Sequence, residues 1–315
     1  YKEEDVVELL SKQKALNFPP GSEFRYSNSG YLLLSRLVER ATGQTLREQA
    51  RRLIFGPLGM EATHFHDNHR EVVPRRATGY GLGPDGGFGI DQTTLDIVGD
   101  GGVFTSIREL QHWMRNYWTL EVGGADWLSA METRGVLSSG DTLSYALGLG
   151  HGVQRGIPFV GHGGAFVGYK AATLRYPRED VGVMVLCNFG RVDPMGLALQ
   201  VGEAVLEDEM GPPPSDSPQH ERTGPDPGPT LSPEAVSEYL GEFYSEEVDA
   251  VFRILLTEDG LTVDVNGARD LPMYPVGEDA FRAGFLNLRF GRRNGAVSMI
   301  SVGSGRAGGV VFTRR

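Results

Sequence analysis

Two short stretches, far apart in the chain, hold residue types from which a proton-transfer site can be built. The first is Pro19-Pro20-Gly21-Ser22-Glu23-Phe24-Arg25-Tyr26-Ser27-Asn28-Ser29-Gly30-Tyr31. Its prolines and glycine force a turn, and an aromatic–polar alternation then sets Tyr26 and Asn28 two residues apart, just before an apolar run from Tyr31 to Leu37. A phenol can accept and return a proton, and a side-chain amide can donate to a carbonyl, so the pair can serve one pocket. The plainer alternative is a capped turn, with Asn28 or Ser29 at the helix start and Tyr26 packed beneath it. The second stretch is Phe159-Val160-Gly161-His162-Gly163-Gly164-Ala165-Phe166-Val167-Gly168-Tyr169. Its glycines permit close backbone approach at a strand edge. Gly163 and Gly164 then line a substrate, and the backbone N–H of Ala165 can join an oxyanion hole. His162 can donate to a substrate carboxylate or help hold the Tyr26 proton. Its alternative is a glycine-rich bend at a strand end, with His162 simply satisfied by hydrogen bonds.

The elements that must position these residues follow from periodicity. Residues 3–16 pattern as an amphipathic helix, with Glu3, Glu4 and Asp5 at its positive end. The helix after the Tyr26 loop runs to about Thr42 and stops at Gly43. Thr45 with Glu48 forms a capping box for another, which ends before Gly56. From Glu61 to Gly99 the chain reads mostly as loop, and Ser106 with Glu109 caps a helix to about Trp118. Strands are expected at Tyr145–Gly150, Pro158–Val160, Lys170–Tyr176 and Val181–Cys187, the last two joined as a hairpin through residues 177–180. A helix from Pro194 to Leu206 closes the region. The class is therefore α+β. Residues 211–230 carry seven prolines among Ser, Asp and Gly and read as a linker. After a helix from Pro233 to Leu240, alternating segments separated by Glu258-Asp259-Gly260, Asn266-Gly267 and Asn294-Gly295 read as a small antiparallel β-barrel.

Other motifs carry less. Ser11-Lys12-Gln13-Lys14 has Ser-x-x-Lys spacing but lies on the polar side of its helix, close to Tyr26, and reads as surface. Gly81-Leu82-Gly83-Pro84-Asp85-Gly86 follows no clear strand and opens no helix, so a loop bordering a cleft is the better reading than a nucleotide site. His64, His66, Asp67 and His69 are read as solvated surface residues, with no metal expected. A net charge of −11 argues against a nucleic-acid-binding face. The one cysteine, Cys187, cannot form an intrachain disulfide, and no apolar run is long enough to span a membrane.

Together, Tyr26-Ser27-Asn28 and His162-Gly163-Gly164 resemble the second and third motifs of the serine β-lactamase-like family. That family includes class C β-lactamases, D-Ala-D-Ala carboxypeptidases, D-aminopeptidases and related esterases. Phe18–Tyr31, Phe55–Met60, Gly101–Leu110 and Val183–Gly190 extend the resemblance over roughly residues 1–208, and the tail from Leu231 resembles the lipocalin-like β domain of some members. The resemblance implies a transpeptidase-like domain over residues 1–210, the linker at 211–230 and the β domain at 231–315. It implies hydrolysis of an amide or ester in a small molecule or peptide through an acyl-serine, without cofactor. Tyr26 would take the nucleophile's proton and pass it to the leaving group, Asn28 would orient the substrate, and His162 with Gly163, Gly164 and Ala165 would form the opposite wall. The family's Ser-x-x-Lys helix precedes its Tyr-x-Asn loop. No such segment precedes Tyr26 here and the chain starts at Tyr1, so an N-terminally truncated chain, inactive alone, is expected. His162 stands where many β-lactamases have Lys, which favours a peptidase or esterase. The family implies a bacterial protein, periplasmic or extracellular. The competing expectations are a non-catalytic protein that binds peptides or cell-wall fragments in the same cleft, and a barrel that holds an apolar ligand.

Overall fold

The structure, a computed structural model, describes residues 2–83, 85–213, 233–258, 260–267 and 269–315. The proline-rich stretch expected as a linker lies largely outside the described residues. Contacts divide the chain into two units, Tyr1–Glu3 with Asn28–Ser215 and Glu4–Ser27 with Asp216–Arg315. The segment carrying Tyr26 thus groups with the C-terminal residues, a non-linear division that boundaries drawn along the sequence do not express.

α1 (Glu3–Ser11), which after its first residue belongs to the second unit, is shorter than its apolar pattern suggests. Ser11 Oγ turns back to the Glu8 carbonyl at 2.7 Å, and Lys14 pairs with Glu246 at 3.6 Å. Ser11 is the last helical residue, so it and Lys14 do not share a helical turn.

The first unit starts with α2 (Asn28–Thr42), which ends at Gly43 with φ +71° as the sequence implies. Next comes α3 (Leu46–Ala50), capped reciprocally by Thr45 and Glu48, and it runs on into a π-helical turn, Arg51–Phe55. The stretch expected as loop carries three short strands, β1 (His64–Phe65), β2 (Tyr80–Leu82) and β3 (Phe88–Ile90). β1 pairs with β4 (Val103–Phe104), and β2 with β3. Ser106 caps α4 (Ile107–Thr119) as expected. A helix that sequence reasoning misses, α5 (Gly124–Glu132), follows. Buried Asn116 places its start by accepting from Val122 N–H at 2.8 Å and donating to the Val122 carbonyl at 3.0 Å.

The sheet is antiparallel in the order β5 (Gly150–Gln154), β6 (Ile157–Phe166), β7 (Tyr169–Tyr176), β8 (Val181–Cys187). The β7–β8 hairpin matches the sequence reading. Two strands do not. Tyr145–Gly150 is a turn closed by one bridge, and the strand continues past it. β6 does not stop at Val160 but runs through the glycines, in register with β7 as far as Phe166 opposite Tyr169. α6 (Pro194–Val205), capped by Asp193, packs on β7 and β8. Leu174, Tyr176 and Ala198 are fully buried there, each large side chain worth roughly 1.5–3 kcal/mol of transfer free energy. Gly202 is required in α6 because a Cβ would collide with the Tyr176 ring.

In the second unit, α7 (Pro233–Tyr239) leads into eight strands: β9 (Gly241–Ser245), β10 (Ala250–Thr257), β11 (Gly260–Val265), β12 (Arg269–Gly277), β13 (Ala280–Ala283), β14 (Leu286–Arg293), β15 (Ala296–Gly303) and β16 (Val310–Arg314). Each pairs antiparallel with the next, and β16 closes on β9. Asn266-Gly267 and Asn294-Gly295 have positive φ at both positions, the geometry that tight hairpins need. The interior is filled. Phe243, Phe252, Phe281, Phe290 and Phe312 interlock with Ile254, Leu288 and Ile300 in one continuous core. The expectation of a cup for an apolar ligand finds side chains where the ligand would lie.

Candidate active site

Asn28 is the exposed first residue of α2 in the first unit. Tyr26 is half-buried in the second, where the Arg306 guanidinium lies 4.8 Å from the centre of its ring. That cation comes from the β15–β16 connection, whose Gly308 N–H also donates to Asn17 Oδ1 at 3.3 Å. Arg306 has no signal in the sequence, since the loop that carries it is Gly-rich and far from Tyr26 in number.

His162 sits in the middle of β6, opposite Thr173. Its Nδ1 is 2.6 Å from the Gly163 carbonyl oxygen and its Nε2 is 2.9 Å from Tyr145 Oη. Tyr145 is a residue that sequence reasoning placed only as a strand start. The turn it occupies, bridged to Gly150, brings it back over β6 because β5 pairs Gly150 with Gly161.

The three glycines around His162 differ in kind. At Gly161 a Cβ would collide with the Thr173 carbonyl oxygen, so the β6–β7 pairing itself demands glycine. At Gly163 the nearest atoms would be Ala171 O at 3.8 Å and Met195 Cε at 4.0 Å, and at Gly164 the Ala171 Cβ at 3.6 Å. Neither residue has positive φ, and both are exposed. Packing and backbone conformation do not require glycine there. Ala165 follows, exposed and paired with Lys170.

The far end of this strand is locked to the long connection from 77 to 92. Tyr169 Oη donates to the Ala77 carbonyl at 2.8 Å, Gly168 N–H to the Asp91 carbonyl at 3.1 Å, and Tyr80 N–H to the Asn188 carbonyl at 2.9 Å. A Cβ on Gly168 would strike Tyr80 N at 2.5 Å, so glycine is what lets the two segments touch. Gly81 lies within β2, and Gly83 N–H donates to the Gly87 carbonyl at 2.8 Å on the way to β3.

The histidines of β1 differ from their sequence reading. His66 is buried, with 6% of its side chain exposed, and stacks on Phe104 at 4.1 Å between centroids. Its Nδ1 is 3.2 Å from His64 Nε2. Burial first, then His64 and the Arg76 cation, lowers its pKa. Ligand atoms of His64, His66 and Glu71 lie within 4.8 Å of one another. Arg47, however, holds Glu71 Oε2 at 2.6 Å and Oε1 at 2.8 Å, and it draws Asp67 in at 2.9 Å. A cation already occupies both carboxylate oxygens, so the arrangement is an ion-paired support for β1. His69 is bound by Asp96 at 2.8 Å.

Residues 1–204 match the family model Beta-lactamase. The chain belongs to the beta-lactamase family. A D-aminopeptidase of Cereibacter sphaeroides is 28% identical over 201 residues, covering 60% of this chain and 36% of that protein. One of Brucella anthropi is 28% identical over 194 residues, covering 59% and 35%. The chain therefore spans about a third of the length of these curated relatives. Among solved structures, the octameric penicillin-binding protein homologue from Pyrococcus abyssi superposes with TM-score 0.60 at 20% identity, over 99% of this chain and 70% of that one. The D-amino acid amidase from Ochrobactrum anthropi does so with TM-score 0.53 at 20% identity, over 66% and 64%. The fold is β-lactamase/transpeptidase-like, with a closed antiparallel barrel at the C-terminus.

Proposed function

We propose that this chain is part of a serine hydrolase that cleaves an amide through an acyl-serine, with D-amino acid amides or peptides with an N-terminal D-residue as substrates. The observation that carries the reading is the exposed Gly163-Gly164 pair beside His162, glycine at positions where neither packing nor φ asks for it. The names of the relatives, D-aminopeptidase and D-amino acid amidase, narrow the substrate class.

In this reading Tyr26 takes the proton of the attacking serine and returns it to the leaving amine. A free phenol titrates near ~10, so the role requires positive charge nearby. Asn28 orients the substrate carbonyl, and Ala165 N–H stabilises the oxyanion. Ser11 and Lys14 do not supply the nucleophile, because α1 ends at Ser11. The acylating Ser and its Lys are proposed to come from residues other than these 315.

The test is acylation by a fluorophosphonate and by a penicillin, followed by mapping of the labelled serine. These 315 residues alone should stay unlabelled, while a longer product of the same gene should label at a Ser-x-x-Lys serine and hydrolyse D-alaninamide. In that product Tyr26→Phe should lower kcat by about 100-fold or more and leave KM within a few-fold. Labelling of Ser11, or unchanged kcat after Tyr26→Phe, sinks the assignment. A longer product with no Ser-x-x-Lys that still binds peptides would identify a binding protein instead.

A further inference from the structure

His151, Val160 and Arg175 form one cross-strand row over β5, β6 and β7, so their side chains share a face of the sheet. His151 and Val160 line a cavity of about 340 Å³ there, with Ser129, Glu132 and Thr133 at the end of α5 and Arg178 in the β7–β8 turn. Val160 is buried, and Ser129, Thr133 and Arg178 form an exposed rim. Neither ring nitrogen of His151 makes a hydrogen bond among the described residues, and Nε2 is shut off from solvent. A buried polar nitrogen left unpaired is costly and marks a place where a partner from outside belongs. The Arg178 guanidinium also has no hydrogen bond or ion pair among the described residues. The charge around the cavity is positive. Glu132 is ion-paired with Arg175. Arg134, whose charge reaches His151, donates only to the Thr142 and Leu143 carbonyls, which cancel none of it. The carbonyls of Ser129, Ala130 and Met131 at the negative end of α5 accept from Thr133 Oγ1, Thr133 N–H and Leu147 N–H. Of the acids in the turn, Asp180 accepts from the Trp118 indole at 2.7 Å, and Glu179 does not line the cavity. Arg175 thus offsets Glu132, and Arg178 and Arg134 are left uncompensated.

We propose that this cavity binds a small organic carboxylate, with its oxygens on the Arg178 guanidinium and the His151 ring and its apolar body against Val160 and Pro158. The planar fork of an arginine matches a carboxylate with two parallel hydrogen bonds. His151 is able to meet it because no acceptor holds a proton on Nδ1, so the neutral ring is free to carry its N–H at Nε2. The wall of Val160, Pro158 and Pro177 suits a hydrocarbon body, which inorganic phosphate lacks. Val160 precedes His162 by two residues on the same face of β6, about 7 Å along the strand, so the cavity lies beside the candidate active site. The proposal goes beyond the hydrolase reading and does not rest on it.

The experiment uses the 315-residue chain and needs no turnover. The chain is titrated at about pH 7.5, above the ordinary imidazole titration, with isobutyrate and with isobutyramide, which share a shape and differ in charge. Imidazole 15N NMR follows both, and a His151→Gln spectrum assigns the His151 signals. Isobutyrate should move those signals and bind at least ~10-fold more tightly than the amide, the effect of about one charge-assisted hydrogen bond. Arg178→Gln, at an exposed position, should leave the fold intact and bring acid and amide within about two-fold. Arg178→Lys keeps the charge and loses the fork, and its preference for the acid should fall between the two. Equal binding of acid and amide, a preference unchanged in Arg178→Gln, or His151 signals that stay still when isobutyrate binds overturns the site. Inorganic phosphate binding as tightly as isobutyrate overturns the carboxylate class. Failure of the longer gene product to hydrolyse D-alaninamide would remove the hydrolase reading and leave this result standing.

Discussion

At position 161 a Cβ has nowhere to go, whereas at 163 and 164 it meets only ordinary contacts. Gly161→Ala should therefore push Thr173 out of register and destabilise the chain by about 1–3 kcal/mol. Gly163→Ala should change stability by no more than about 0.5 kcal/mol in either direction while weakening binding of D-alaninamide. Denaturant unfolding and ligand titration of the same two proteins check this. Equal destabilisation by both would mean that the fold, and not a substrate, explains Gly163. This separation of roles was not legible in the sequence. Gly161, Gly163 and Gly164 look alike in a glycine-rich run, and only the cross-strand register, with Gly161 opposite Leu174 and Gly163 opposite Ala172, tells them apart. The partners of His162 were hidden for the same reason. Tyr145 is seventeen residues away and reaches it through a turn that periodicity scored as strand.

At the scale of elements, local chemistry was read well and tertiary override was not. The Thr45–Glu48 box and the Ser106 cap are where the sequence places them, since each depends on side chains within three residues. The β7–β8 hairpin is also local. α5 was missed because its cap position is Gly123, with no side chain to announce it, and Gly123-Gly124 reads as loop. β1 was missed because two residues carry no period, and His64 and His66 beside Asp67 look solvated. Their burial has a measurable consequence. The lowered pKa of His66, set first by burial and then by His64 and Arg76, means that the unfolded chain takes up a proton which the folded chain refuses. Stability is fully present above the ordinary imidazole pKa near ~6.5 and declines as pH falls below it. His151, lowered by burial and by Arg134, adds a slope of the same sign. His66→Gln should give a protein that is less stable at pH 7 and loses less stability than the parent between about pH 7 and pH 5. Thermal unfolding across that range measures it. Identical slopes in parent and variant would show that His66 is not held neutral.

At the scale of the whole molecule, alternation and turn dipeptides were enough to indicate an antiparallel barrel, because Asn-Gly pairs and period-two patterning belong to hairpins one at a time. They do not say what fills it. That depends on which inward side chains meet across the barrel, and the structure answers with rings: Phe281 lies 5.4 Å from Phe290 and 4.9 Å from Tyr239, centroid to centroid, and is 1% exposed. A core packed in this way contributes stability and sets these rings along the barrel's interior. Phe281→Ala should then cost about 3–5 kcal/mol, measured by denaturant unfolding of the full chain. It should also create an apolar cavity large enough to take a small aromatic such as benzene, which would raise the melting temperature of the variant and leave the parent unchanged. A fluorescent fatty acid should show no stoichiometric binding to the parent. Should the parent instead bind it one to one, with competition abolished by Phe281→Trp, the barrel would be a ligand-binding module and its filled interior only the unliganded arrangement.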